Sequence, residues 1–447
     1  MKVVIIGAVA AGMSAASKLK RNLKDQVEIM VYEKGGEVSY GACGIPFYIS
    51  DHIKQGKELI ARTAEEFFQS GIPIKTYHEV LHADTDKKTV LVRNLKTGEE
   101  FEDTYDKLVV GSGAAVRHFP PFDREYENLF EIRDVADGTR VKTALLEEKN
   151  RHVVIVGAGF IGLEVSEACR RYGKEVTVVE LADHILSSFD PEVSQALEEE
   201  MEKNGVTVKT GCKVVDLKAE NGRITAAVVE AGDGSREELP ADILINSAGI
   251  APATAFIDTV EKAKNGAILV NERMETSAED VYAAGDCSIM RSAITGEYTY
   301  APLGTNANKQ GRIIGDVLGG VTPKPFKLIG SSALRLFGLD AAKVGLSEKE
   351  AKSHGLDYKA HMITGNSYAS YYGTEKLNIK VIYDRATRKI LGAETWGAGI
   401  VVPRANYYAI AIYSGLTVDE MGFMDLCYSP PFSGVWDAAL IASNTAK

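Results

Sequence analysis

The sequence predicts an α/β protein with two Rossmann-like nucleotide-binding domains, and three observations predict it. A pattern of apolar strand, glycine turn, helix and second strand ending on a glutamate runs from residue 3 to 33 and recurs from 152 to 180. Further apolar strands run into small-residue turns at 105–113, 243–249 and 276–286, supplying the crossings between two such units. A chain of 447 residues is also too long for one ordinary core and implies two or three domains.

The first unit opens V3-V4-I5-I6-G7-A8-V9-A10-A11-G12, continues as a helix, and closes on the strand 26–33 with Glu33. The second opens H152-V153-V154-I155-V156-G157-A158-G159-F160-I161-G162 and closes on the strand 175–180 with Glu180. Glycine lets the backbone turn tightly and lets a pyrophosphate reach the free N–H groups at a helix start, where the dipole favours anions. The last glycine, Gly12 or Gly162, lets the helix pack close on its strand, and the terminal glutamate can accept hydrogen bonds from ribose hydroxyls. The second copy is complete, with Gly157, Gly159, Gly162 and Glu180; the first keeps Gly7, Gly12 and Glu33 but has Val9 at the middle position. The pairing of the copies implies two different nucleotides. Glu180 is followed by Leu181 and Ala182, with no basic residue beside it, so a 2′-phosphate is disfavoured and NADH is expected in preference to NADPH.

Composition narrows the partners. A formal net charge of -11 argues against nucleic acid. No run of 18 or more apolar residues occurs, so no membrane span is expected, and the N-terminus reads as strand, turn and helix rather than as a signal peptide. The cysteines are Cys43, Cys169, Cys212, Cys287 and Cys427. An odd, scattered set suits a reducing cytoplasm rather than a disulfide framework, and without a close pair there is no zinc ribbon; no metal site is expected.

With these motifs the chain resembles the flavoproteins of the pyridine nucleotide–disulfide oxidoreductase superfamily over nearly its whole length. The resemblance implies that the first turn holds FAD, the second NADH, and that Asp286, in the A283-A284-G285-D286 turn, contacts the flavin ribityl chain. It also implies a discontinuous FAD domain of residues 1–112 and 248–322, an NADH domain of 113–247, and an α+β interface domain of 323–447 that makes a homodimer. The runs 377–383 and 405–413 read as strand and helix of that last domain.

The segment S39-Y40-G41-A42-C43-G44-I45-P46 holds one cysteine, where a two-cysteine reductase would show C-x4-C. Within the superfamily this setting resembles the single-cysteine branch of coenzyme A-disulfide reductases, NADH oxidases and NADH peroxidases. A single thiolate can attack a disulfide, release one thiol and hold the other as a mixed disulfide, which reduced flavin then cleaves; alternatively a peroxide converts it to a sulfenic acid. Both need a thiolate at neutral pH. Lowering a thiol pKa from about 8.5 to about 5 requires roughly 5 kcal/mol. A helix opened by Pro46 supplies about 0.3–1 kcal/mol, up to ~2 when partly buried. The flavin ring is the expected source of the remainder.

Three features favour coenzyme A disulfide as substrate. Ala10 stands where similar oxidases and peroxidases carry a proton-transferring His, and it can transfer none. C427-Y428-S429-P430-P431-F432-S433 and S370-Y371-Y372-G373 resemble stretches of the coenzyme A enzymes, which implies Tyr428 and Tyr371 as acids acting on the cysteine of the other subunit. Coenzyme A is anionic, and the helix run S17-K18-L19-K20-R21-N22-L23-K24 offers Lys18, Lys20, Arg21 and Lys24, with a solvated face as the alternative. Arg21, Lys20 and Ser39 are therefore the expected substrate-binding residues, with coenzyme A as substrate or as an adduct on Cys43. Ala42 departs from the Asn frequent in the coenzyme A enzymes. The rival readings are an NADH oxidase or peroxidase, a coenzyme A persulfide or polysulfide reductase, and a flavin-bound electron-transfer scaffold. Persulfide reductases often carry an appended rhodanese domain, and the sequence ending at Lys447 is expected to leave no room for one.

Overall fold

The computed structural model describes residues 1–447. Its first sheet is parallel, in the order Val281–Ala283, Lys107–Val110, Lys2–Ile6, Glu28–Glu33, Ile74–Thr76. The second has the same plan: Val206–Lys209, Glu175–Val179, His152–Val156, Ile243–Asn246 and Leu129–Phe130, again all parallel. Parallel sheets are covered on both faces, which is why their central strands are continuous apolar runs; Val3, Val4 and Ile5 have no exposed surface. The repeat extends further than the glycine motifs. In each unit an antiparallel three-stranded meander precedes the strand that returns to the centre: His78–Asp84, Thr89–Asn94 and Glu100–Thr104 in one, Cys212–Glu220, Arg223–Ala231 and Arg236–Pro240 in the other. The first sheet draws a strand from beyond residue 280, whereas the second is built wholly between residues 129 and 246.

The helix Ala10–Leu23 lies against Gly304–Leu318 at a distance only glycine allows: a Cβ at Gly311 would fall 2.3 Å from the Ala11 carbonyl oxygen. The start of the first helix is thereby fixed beside the turn that carries Asp286. The third sheet is antiparallel, ordered Ser331–Leu336, Leu339–Gly345, Ile390–Gly397, Lys376–Asp384, Tyr358–Asn366. One face buries Val344, Ile379, Val381 and Ala393 with residues of the helices Val402–Ser414 and Ala438–Thr445. On the other face Leu334, Leu336, Ala341 and Trp396 join the core of the second nucleotide-binding unit. The strand and helix read at 377–383 and 405–413 lie inside Lys376–Asp384 and Val402–Ser414. The strand expected from residue 26 begins at Glu28, because Lys24–Gln26 form a single tight turn entered at a left-handed Lys24, φ 50°. No helix is long and apolar enough to cross a membrane.

Candidate active site

The two glycine turns superpose in their chemistry. Gly7 and Gly157 have φ of +96° and +98°, and a Cβ would strike the Gly111 oxygen at 2.3 Å or the Ser247 oxygen at 2.6 Å. A Cβ at Gly12 would lie 1.9 Å from the Gly7 oxygen, and one at Gly162 lies 2.1 Å from the Gly157 oxygen, so each helix rests directly on its turn. The Ala8 amide donates to the Glu33 carboxylate at 2.7 Å, and the Ala158 amide to Glu180 at the same distance. The other oxygen of each carboxylate accepts from Gly35 or Ala182 at 2.8 Å. Each oxygen keeps a lone pair for a ribose hydroxyl.

Gly159 has no atom within 4 Å of its Cβ direction. It opens on a cleft of about 490 Å³ lined also by Gly157, Glu180, Ser247 and Lys213. Lys213 is basic and near Glu180 in space though not in sequence, but its ammonium is paired with Glu230 at 2.8 Å. Asp286 follows Gly285, φ +82°, packed on Ala11 and Ala307. Its carboxyl is raised by burial and drawn back by Arg133, 4.0 Å away. Both units therefore fit a dinucleotide: turns that only glycine can make, fixed ribose-facing carboxylates, and open space at the start of the second helix. Gly7, Gly12, Glu33 and Asp286 suit FAD, and Gly157, Gly159, Gly162 and Glu180 suit NADH, each supplying two-electron chemistry when bound.

The cysteine segment hangs from the first turn. The Ser39 amide, on a residue with φ +49°, donates to the Ala8 oxygen at 2.8 Å. Gly41 donates to Leu59 and Ala61 donates back to Ser39, each at 2.9 Å. Ala42–Gly44 then form one tight turn leading into the helix Ile45–Ile49, with Pro46 in its first turn. Cys43 is exposed, and the other exposed cysteine is Cys427 in the third domain. Packing around Cys43 raises its thiol pKa, and the charges of Glu164 and Asp286 raise it further. A backbone hydrogen bond at Cys43 opposes these effects without offsetting them, so the net direction is upward.

Glu164 was not legible in the sequence. It sits between the buried Leu163 and Val165 on the helix Phe160–Arg171, and burial, with Glu167 second, pushes its carboxyl up to about 7. An acid flanked on that helix by the buried Leu163 and Val165 was the available signal.

Arg21 and Ser39 line one cleft of about 410 Å³, together with Val9, Ala10, Arg62 and Arg312. No carboxylate lines it, which sets it apart in a chain of net charge -11. Lys20 is not part of it: its ammonium is 3.6 Å from Asp25 and its chain packs on Gly71. Lys18 is paired with Asp316 at 3.0 Å. Arg62 is held by the Glu66 carbonyl at 2.8 Å and the Ser70 hydroxyl at 2.7 Å, stacked 4.0 Å over Phe67. Tyr371 and Tyr428, far apart in sequence, bring their hydroxyls to 3.1 Å. That hydrogen bond raises the Tyr428 pKa. Both rings are exposed, as are Phe423, Phe432, Val435 and Trp436 of the same domain. No group of three or more His, Cys, Asp or Glu is placed to hold a metal ion.

The family profile described as pyridine nucleotide-disulphide oxidoreductase matches residues 1–311, and that of the family's dimerisation domain matches 332–440. The chain is 32% identical to an NADH oxidase of Enterococcus faecalis, over 100% of this chain and 99% of that one. It is 29% identical to a coenzyme A disulfide reductase of Staphylococcus aureus, over 100% of both. The fold is similar to the reduced CoADR-RHD of Bacillus anthracis, with TM-score 0.94 and 32% identity over 99% of this chain and 79% of the other.

Proposed function

The chain belongs to the pyridine nucleotide–disulphide oxidoreductases, and on that footing we propose that it is an NADH-dependent flavoprotein that reduces coenzyme A disulfide through Cys43. The observation that carries this reading is the cleft: Ser39, four residues before the exposed Cys43, lines the same space as Arg21, Arg62 and Arg312, with no carboxylate among them. A thiol compound bearing several phosphates matches that wall. Ala10 lines the same cleft and has no proton to give, which weighs against peroxide or oxygen chemistry. The fixed carboxylate of Glu180 supports NADH over NADPH.

The Cys43 thiolate attacks one sulfur of the disulfide. The S–S bond breaks, a Cys43–S–S–CoA bond forms, and the other coenzyme A leaves as a thiolate. The hydrogen-bonded Tyr428 and Tyr371 of a second copy of the chain supply its proton; the hydrogen bond between them raises the Tyr428 pKa and keeps that phenol protonated at pH 7. Gly7, Gly12, Glu33 and Asp286 would hold the FAD, which would supply the two-electron link between NADH and the mixed disulfide. The net change is one disulfide, one NADH and one proton to two thiols and NAD⁺. We place this homodimeric enzyme in the cytoplasm, in keeping with five free cysteines.

Anaerobic NADH oxidation with coenzyme A disulfide tests the reading. Wild type is expected to turn over the disulfide faster than it consumes peroxide or air, and to carry a coenzyme A-mass adduct on Cys43 after one turnover without NADH. Cys43→Ser should lose disulfide turnover by about a thousandfold or more while NADH still bleaches the flavin. Faster oxygen or peroxide consumption in wild type, or full disulfide turnover in Cys43→Ser, would overturn it.

A further inference from the structure

Each glycine turn is strapped by a second segment, and the two straps correspond residue for residue. Six residues after Glu33 stands Ser39, and six after Glu180 stands Leu186. Ser39 has φ +49° and Leu186 φ +47°. The Ser39 amide donates to the Ala8 oxygen at 2.8 Å, and the Leu186 amide to the Ala158 oxygen at 2.9 Å. Four residues further on, the first strap carries Cys43 and the second carries Asp190. A left-handed backbone is unfavourable for a branched aliphatic residue, so Leu186 keeps it only where its surroundings enforce it.

Besides the Phe189 amide, which donates to the Leu186 oxygen at 2.8 Å within the strap, its anchors come from the third domain. Lys343, Glu394 and Lys380 stand side by side on three adjacent strands, Lys343 opposite Glu394 and Glu394 opposite Lys380. All three are buried. Lys343 donates to the Ser188 oxygen at 2.6 Å. Both oxygens of Glu394 accept from the Asp190 amide, at 3.0 and 3.3 Å. The Lys380 ammonium has three donors and meets three carboxylates: Asp190 at 3.0 Å, Glu192 at 3.0 Å and Glu348 at 2.8 Å. Between these anchors the Phe189 ring, fully buried, meets the edge of Phe160 at 6.2 Å. Phe160 directly follows Gly159. The chain of contact therefore runs from the third sheet, through residues 186–190, to Ala158 and Phe160 on either side of Gly159.

We propose that the Lys343–Glu394–Lys380 rung is a positioning device for the pyridine nucleotide site: it holds the 186–190 strap, and through it the 158–160 turn, in the shape that receives the nucleotide. The three residues touch no reacting atom. The inference rests on the reading that the second turn binds NADH. It adds that the dimerisation domain, while presenting its tyrosines at one place, sets NADH affinity at another. A buried ion pair adds little net stability; here its proposed role is to fix one geometry of the strap.

The test uses the FAD-loaded dimer of Lys380→Met, with Lys380→Arg as the conservative variant. In Lys380→Met the KM for NADH should rise about tenfold or more, while kcat at saturating NADH, the KM for the disulfide and the FAD content stay within about twofold of wild type. Lys380→Arg should recover most of the loss. In the absence of nucleotide, hydrogen exchange at the Leu186 amide and across 157–162 should quicken about tenfold, with 7–12 unchanged as the internal control. If Lys380→Met does not fold, Phe189→Leu leaves the rung intact and should raise the KM for NADH severalfold. An unchanged KM for NADH in folded Lys380→Met or Phe189→Leu overturns the proposal. So does a loss spread equally over both substrates and the flavin, which marks a merely structural role. A wild type that NADH does not reduce refutes the reading beneath it instead.

Discussion

At the scale of single residues, Cys43 sits in an environment that opposes its own ionisation. The protein packed around the sulfur of this surface residue comes first, and the charges of Glu164 and Asp286 add to it. Glu164 is the adjustable part, because its carboxyl is pushed up to about 7. It is neutral below that pH and negative above it, so its repulsion of a Cys43 thiolate appears as pH rises through 7. Glu164→Gln removes that charge without removing bulk. The rate of Cys43 alkylation by iodoacetamide in the variant should match wild type at pH 6 and exceed it about threefold at pH 8, an effect of well under 1.4 kcal/mol. Mass-spectrometric counting of labelled Cys43 over time gives the rate; equal rates at pH 8 would show that Glu164 does not govern the thiol. The FAD-loaded form should be alkylated faster at pH 7 than the stripped form, because the net effect of the protein's own groups is to raise the thiol pKa.

At the scale of elements, the two glycine turns separate packing from binding. A Cβ at Gly162 would lie 2.1 Å from the Gly157 backbone oxygen, which cannot move aside without breaking the turn. Gly162→Ala should therefore cost about 1–3 kcal/mol in urea unfolding. Gly159→Ala meets no atom within 4 Å, so its stability should stay within about 0.5 kcal/mol while NADH binding weakens. Comparable destabilisation by both would remove the distinction. The same contrast explains what the sequence made legible. Gly7, Gly12 and Glu33, and likewise Gly157, Gly162 and Glu180, fall within a single βαβ span each, and short-range spacing encodes them. Arg62, Arg312, Glu164 and the Lys343–Glu394–Lys380 rung gain meaning only where distant segments meet; in sequence each is an ordinary charged residue. Arg21 and Lys20 are neighbours on one helix and point about 100° apart. Packing against Gly304–Leu318 and the 69–71 segment, not composition, decides that Arg21 lines the cleft and Lys20 does not.

At the scale of the whole molecule, the third domain leaves several large apolar side chains in solvent. Tyr371, Phe423 and Val435 are 76%, 78% and 71% exposed, and the family's dimerisation domain covers 332–440. In the proposed mechanism, a second copy that covers these side chains brings the Tyr371–Tyr428 pair to a Cys43 that is not its own. Mixed dimers distinguish this from action within one chain. Cys43→Ser retains both tyrosines, and the Tyr371→Phe/Tyr428→Phe double variant retains the thiol. Each alone should be close to inactive in disulfide turnover. Half the dimers in a randomly reassociated equal mixture are hybrids, and each hybrid has one complete site if the tyrosines act across the interface. The mixture should then regain about a quarter of wild-type disulfide turnover, with NADH reduction of the flavin unaffected. Tyrosines acting on the cysteine of their own chain leave no complete site in any hybrid, and no mixing ratio could restore turnover.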